Sequence, residues 1–131
     1  MSGDRGQAVV EFALVLPTLL VLALAIVLVA ELGVARLALQ HATAEAARAG
    51  ALTNDDEQIR GTLAATVAPL APDRVTSAIS PGQSDPPRNG DPRGALLTVR
   101  ASYSLEVPLG FVGLPRFVVT ASASRRIEWT P

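Results

Sequence analysis

The sequence predicts an α+β protein: a long N-terminal transmembrane α-helix extending into a small extracytoplasmic domain with one further helix and about three antiparallel strands. Three observations carry this expectation. From Phe12 to Ala30 no residue is charged and Thr18 is the one polar side chain. Apolar residues then recur at helical spacing to about residue 50. After a Pro- and Gly-rich stretch the apolar period falls to two, the period of a strand with one buried face. Of 131 residues, roughly 100 lie outside the apolar run, enough for one small domain and too few for a two-domain enzyme.

Nineteen residues from Phe12 to Ala30 make a helix of about 28 Å, close to the roughly 30 Å of bilayer hydrocarbon. Thirteen of them are Phe, Leu, Ile or Val, which favours insertion by roughly 4 to 8 kcal/mol. Pro17 lies about one turn into the run, where it removes a hydrogen bond and is expected to bend the helix. Arg5 and the initial amine precede the run, offset by Asp4, and Glu31 follows it before Arg36. This bias points to a cytoplasmic N-terminus with the remainder outside. An ordinary signal peptide, with Ala23-Leu24-Ala25 as its cleavage site, is disfavoured. The segment before the run carries almost no net charge, the run is long, and no breaker follows Ala30.

From Glu31 to Leu52 the chain continues as helix. Leu32, Ala35, Leu39, Ala42, Ala46 and Ala49 form a small-residue face suited to close packing on another helix or on the chain's own domain. Glu45 and Arg48 stand at i,i+3 as a surface pair, and Gly50 is the expected stop. A helix from about residue 7 to 50 would be roughly 66 Å long. Asn54 is the expected N-cap of a second helix, with Glu57 three residues on in capping-box spacing and Asp55 and Asp56 at the positive end of the dipole. Ile59, Leu63 and Val67 form its apolar face and Pro69 ends it. A short strand is expected over Asp73–Ile79. Ser80–Gly94 holds four Pro and three Gly with no apolar side chain besides proline, so it is expected to bury nothing and to be a mobile loop whose removal leaves the domain folded. Strands are then expected at Ala95–Tyr103, with Leu97, Val99, Ala101 and Tyr103 on one face, and at Phe117–Trp129, with Phe117, Val119, Ala121 and Ala123 on one face. Glu106–Pro115 is an apolar connection between them.

Several function classes are disfavoured on composition. Eleven Arg, no Lys and 12 acidic residues leave a net charge of −1, which does not suit a nucleic-acid binder. Without Cys there is no disulfide framework, thiol nucleophile or Cys-based zinc site. His41 has no second His or Cys with which to hold a metal, and no Ser stands in a nucleophile-elbow pattern. Asp85–Gly90 departs from a calcium loop, with Pro87 at the third ligand and Leu96 where the closing Glu belongs. The expectation is therefore no enzyme, no metal, no cofactor and no small-molecule substrate. Arg125 and Arg126 are expected to be exposed at a strand end.

The N-terminus reads MSGDRG, then QAVVEF, then the apolar run. This resembles type IV pilin-like precursors, whose short hydrophilic leader ends in Gly and whose mature chain has Glu at its fifth position. The aromatic after that Glu resembles the Tad (tight adherence, Flp-type) branch. The stretch from Arg5 to Leu52, with its Val-Glu-Phe-Ala-Leu-Val-Leu-Pro block and the Ala-Ala-Arg near the helix end, is similar to the TadE-like family of minor pilins or pseudopilins. The resemblance covers about the first 50 residues.

The resemblance implies a leader of residues 1–6 cut after Gly6 by a prepilin peptidase, with Gln7 the new N-terminus. It implies a transmembrane and assembly helix over 7–52, and assembly residues Glu11, Phe12 and Pro17. Residues 53–131 then form the extracytoplasmic domain, with the loop at 80–94. Implied partners are the membrane, the prepilin peptidase, other pilin or pseudopilin subunits and the pilus assembly platform. The implied place is the bacterial inner membrane, N-terminus in, or a surface pilus. Glu11 at the lipid boundary is costly unless paired, and the amine freed at Gln7, on a neighbouring subunit, is its implied partner. The alternatives are an uncleaved single-pass adaptor of a secretion apparatus and a domain released by signal peptidase.

Overall fold

The structure, a computed structural model, describes residues 3–106 and 116–131, with side chains from Gly6 onward. Met1 and Ser2 of the expected leader, the side chains of Asp4 and Arg5, and the expected connection past Glu106 lie outside the described residues. Two compact units divide the chain, Met1–Leu32 and Gly33–Pro131.

Helix α1 (Gly3–Thr53) has Pro17 inside it. Its part in the first unit is the apolar run of the sequence. In the second unit, one face of α1 is buried against helix α2 (Asp56–Thr66) and a three-stranded sheet. The sheet contains β1 (Val75–Ser80), β2 (Leu96–Leu105) and β3 (Phe117–Arg126), ordered β1-β2-β3 with both pairs antiparallel. A single 3₁₀ turn, Pro72–Arg74, leads into β1. The architecture is the α+β one that the sequence predicts, with one further α-helix and three antiparallel strands among the described residues.

The core follows from the periodicities. Ala35, Leu39, Ala42 and Ala46 of the expected face are fully buried, joined by Ala38, Thr43 and Ala47, while Ala49 is half-buried. The small-residue face thus packs within the chain's own domain, where the short side chains let the sheet and α2 come close to the helix axis. Ile59 and Leu63 of α2 and Val67 just past it are buried. In β2, Leu97, Val99, Ala101 and Tyr103 are buried while Leu96 and Arg100 on the other face are exposed. In β3, Ala121 is buried, Val119 and Ala123 half-buried, and Val118, Thr120, Ser122 and Ser124 exposed. Phe117, at the strand end, is exposed.

Four details of the sequence reading are corrected. Gly50 does not end α1. It lies inside the helix at a close approach, where a Cβ would sit 2.5 Å from Ile59 Cδ1 and 2.6 Å from Leu97 Cδ2. The residue that leaves the helix is Asn54, at φ 52°, a left-handed conformation that Asn tolerates better than most residues. Its amide donates to the Gly50 carbonyl at 2.9 Å. Asn54 is therefore not the N-cap of α2. Asp55 is, its carboxylate accepting the Glu57 amide at 2.8 Å.

The expectation that Ser80–Gly94 buries nothing is also overturned. Arg88 is 2% exposed and Pro92 is fully buried. Arg88 Nε donates to Asn54 Oδ1 at 2.9 Å, Asn54 Nδ2 donates to the Arg88 carbonyl at 3.1 Å, and Arg88 Nη1 donates to the Pro81 carbonyl at 2.8 Å and to the Asp56 carboxylate. Gln83 and Asp56 exchange two further bonds. Sequence composition misleads here because a guanidinium can be buried when carbonyl and carboxylate oxygens meet its fork of donors. Finally, Glu45 and Arg48 are not an ion pair. Among the described residues the ion pairs are Arg74–Glu106 and Arg88–Asp56.

The last residues close the domain. Ile127 is buried, and the amides of Glu128 and Trp129 donate to the Ala51 carbonyl at 2.8 and 3.1 Å. They satisfy an acceptor that the end of α1 leaves without an intrahelical donor.

Candidate functional site

The residues singled out for processing and assembly lie along the first unit. Gly6, Gln7, Glu11, Phe12 and Pro17 are all in α1 and all exposed. The helix starts at Gly3, so Gly6 is helical rather than in an extended leader. A Cβ at Gly6 would meet nothing within 4 Å, so packing in the chain gives no reason for glycine there. Glycine weakens a helix by about 1 kcal/mol relative to alanine, which favours local unwinding at this position.

Gln7 and Glu11 are separated by one helical turn and share a face of α1, with Leu14 and Thr18 continuing it. Phe12 is 65% exposed beside them. Pro17 lacks an amide hydrogen, so the Ala13 carbonyl has no helical donor. Thr18 Oγ1 donates to the next carbonyl, Leu14, at 3.2 Å, a local bond that keeps this hydroxyl satisfied without water.

From Gly6 through Glu31 every side chain is exposed except Leu24 and Leu28, which are half-buried. Val9, Leu14, Val21 and Val29 are each about two-thirds exposed or more. Such a continuous apolar surface far exceeds what a chain in water tolerates, and it marks a membrane or partner interface. The helix is long and apolar enough to cross a bilayer. By length and composition it is a candidate membrane span.

The structure places the other sequence candidates away from this segment. His41 is exposed on α1 in the second unit. Arg125 and Arg126 are exposed at the end of β3, as expected, and Arg126 Nη1 donates to the Gly94 carbonyl at 3.0 Å. Sequence reasoning missed Arg88, and nothing in the sequence separates it from Arg93 in the same loop. It also missed that Arg36 and Gln40 of α1 share a groove with Arg100, Thr120, Ala121 and Ser122.

No curated protein and no solved structure matches the chain. A family model does, that of TadE-like protein, over residues 6–48. The match begins at Gly6, covers the exposed apolar run with Glu11, Phe12 and Pro17, and ends within α1. Over that N-terminal helical segment, residues 6–48, about a third of its length, this chain is similar to TadE-like protein.

Proposed function

We propose that this chain is a minor pilin or pseudopilin of a Tad-type pilus assembly and secretion system, cut by a prepilin peptidase after Gly6 and assembled through α1. The observation that carries the reading is the family match from Gly6 onward, on a helix whose apolar surface is exposed along its membrane-length stretch. The role is structural rather than catalytic. The chain sits in the inner membrane with its N-terminus in the cytoplasm and its domain outside, and its partners are the peptidase, other pilin subunits and the assembly platform.

The chemistry turns on charge. Hydrolysis of the Gly6–Gln7 bond frees an α-amine, which is largely cationic at neutral pH. Before the cut that nitrogen is a neutral amide and offers Glu11 no counter-charge. After the cut the carboxylate can pair with the amine of a neighbouring subunit, so a subunit becomes competent to assemble once it is processed.

N-terminal sequencing and intact mass of the chain from its native membranes test the reading. A chain beginning at Gln7 is expected, and Gly6→Leu should stay at precursor mass, because a branched side chain fills the space the peptidase needs for the backbone. A chain retaining Met1 favours the uncleaved adaptor, and one beginning near Ile26 an ordinary signal peptidase. Either overturns the proposal.

A further inference from the structure

The sheet has two edges, and they differ. β1 is six residues long and is followed directly by Pro81, short and proline-ended as protected edges are. β3 is ten residues long, contains no proline and has no carboxylate from Phe117 to Arg126. Its ladder bonds all go to β2. Among the described residues, no backbone hydrogen bond from another element reaches β3. Among the described residues, one side of this strand is therefore a row of amides and carbonyls without a backbone partner.

Beside the middle of that edge lies a groove lined by Arg36 and Gln40 of α1, Arg100 of β2, and Thr120, Ala121 and Ser122 of β3. Its polar side chains are two guanidiniums, an amide and two hydroxyls, with no acid among them. Among the described residues, neither Arg36 nor Arg100 takes part in an ion pair or a side-chain hydrogen bond. Arg100 stands on the exposed face of the sheet, opposite Ser122 in register, while Arg36 comes from the helix that packs on the other face. The positive charge thus flanks the open edge from both sides.

We propose that the β3 edge is a docking site for an extended segment of another polypeptide, which adds as a fourth strand and carries Asp or Glu at its centre. Backbone bonds to β3 supply the affinity. Successive side chains of an added strand point to opposite faces, so adjacent acidic residues meet Arg100 on one side and Arg36 with Gln40 on the other. The charge pattern selects against a second copy of this chain: a second β3 offers no carboxylate in any register and adds Arg125 and Arg126 to a groove that is already cationic. The inference rests on the second unit alone and stands or falls independently of the processing of Gly6.

The test uses the full chain in detergent micelles and a fluorescent nine-residue peptide of alternating Thr and Val with two adjacent Glu at its centre. Binding by anisotropy, with slowed amide exchange confined to alternate residues of β3, is expected. Gln in place of both Glu, or Arg36→Gln with Arg100→Gln, should each weaken binding by about tenfold, and raised salt should do the same. A proline at the peptide centre should abolish it, because a strand cannot add without its amides. Four outcomes overturn the proposal: no binding of the acidic peptide, indifference to the proline, indifference to the arginine substitutions, or β3 amides already protected in a dimer of the chain alone. Binding of phosphatidylglycerol vesicles that depends on Arg36 and Arg100 while the peptide fails to compete overturns it in favour of a lipid headgroup.

Discussion

Arg88 carries a full charge out of water to a place where Asn54, Asp56 and the Pro81 carbonyl receive it. Its Nη2 is buried without a partner among the described residues. Burying an ion costs several kcal/mol, and removing one member of a buried pair is worse than never having made it. Arg88→Met is accordingly expected to destabilise the domain by about 3 kcal/mol, read from denaturant unfolding of the full chain in detergent with Trp129 fluorescence as the probe. Arg88→Lys should rescue little, since a point charge cannot serve Asn54 and Asp56 together as a planar fork does. Two glycines make a second contrast at this scale. Gly61→Ala in α2 meets nothing within 4 Å and should stabilise by about 0.5 to 1 kcal/mol through the entropy of the unfolded chain. Gly50→Ala puts its Cβ into Ile59 and Leu97 and should destabilise by about 1 to 2 kcal/mol, overpacking outweighing the gain in propensity. Equal signs for the two in the same unfolding assay would contradict the close packing of α1 on α2 and β2.

Among the elements, the loop after β1 changes most between sequence and structure. Four prolines and three glycines read as a segment with nothing to lose, yet it brings Arg88 to the junction of α1 and α2 and buries Pro92. Deleting Gln83–Arg93 should therefore lower the unfolding midpoint at least as far as Arg88→Met does, and should open the junction near Asn54 to limited proteolysis. An unchanged midpoint would restore the reading of a dispensable loop. The junction itself shows why the cap was misplaced. Asn54, Asp55 and Asp56 are three adjacent residues that can all cap a helix, and the choice of Asp55 follows from Asn54 being held at positive φ with its side chain taken by Arg88.

At the scale of the whole molecule the proposed pilin role turns on what Glu11 does between subunits. If its carboxylate pairs with the amine freed at Gln7 of a neighbour, Glu11→Gln should leave insertion and processing intact and abolish assembly, since losing one partner of a desolvated pair costs about 3 to 5 kcal/mol. In an uncleaved adaptor α1 starts at Gly3, which leaves the same carboxylate more than two turns inside the helix, beyond the reach of the terminal dipole, so its loss should cost little. The fraction of processed chain recovered in sheared filaments or cross-linked to other pilins separates the two. Wild-type recovery of Glu11→Gln would refute the pairing.

The sequence by itself determined whatever depends on period and composition: the membrane-length run from Phe12 to Ala30, the Ala face of α1, the buried alternation of Leu97, Val99, Ala101 and Tyr103, and the stretch from Gly6 on which the family match rests. These are local regularities, because burial of a helix or strand face repeats with the geometry of the element. Tertiary structure alone decided the roles that depend on distant partners. Gly50 is required by Ile59 and Leu97, Asn54 is turned by Arg88 across 34 residues of chain, and the Ala51 carbonyl is met by the amides of Glu128 and Trp129. Arg36 and Arg100 likewise come to one groove only when the sheet packs on α1. A single sequence shows which groups need partners, and folding chooses among the many it offers.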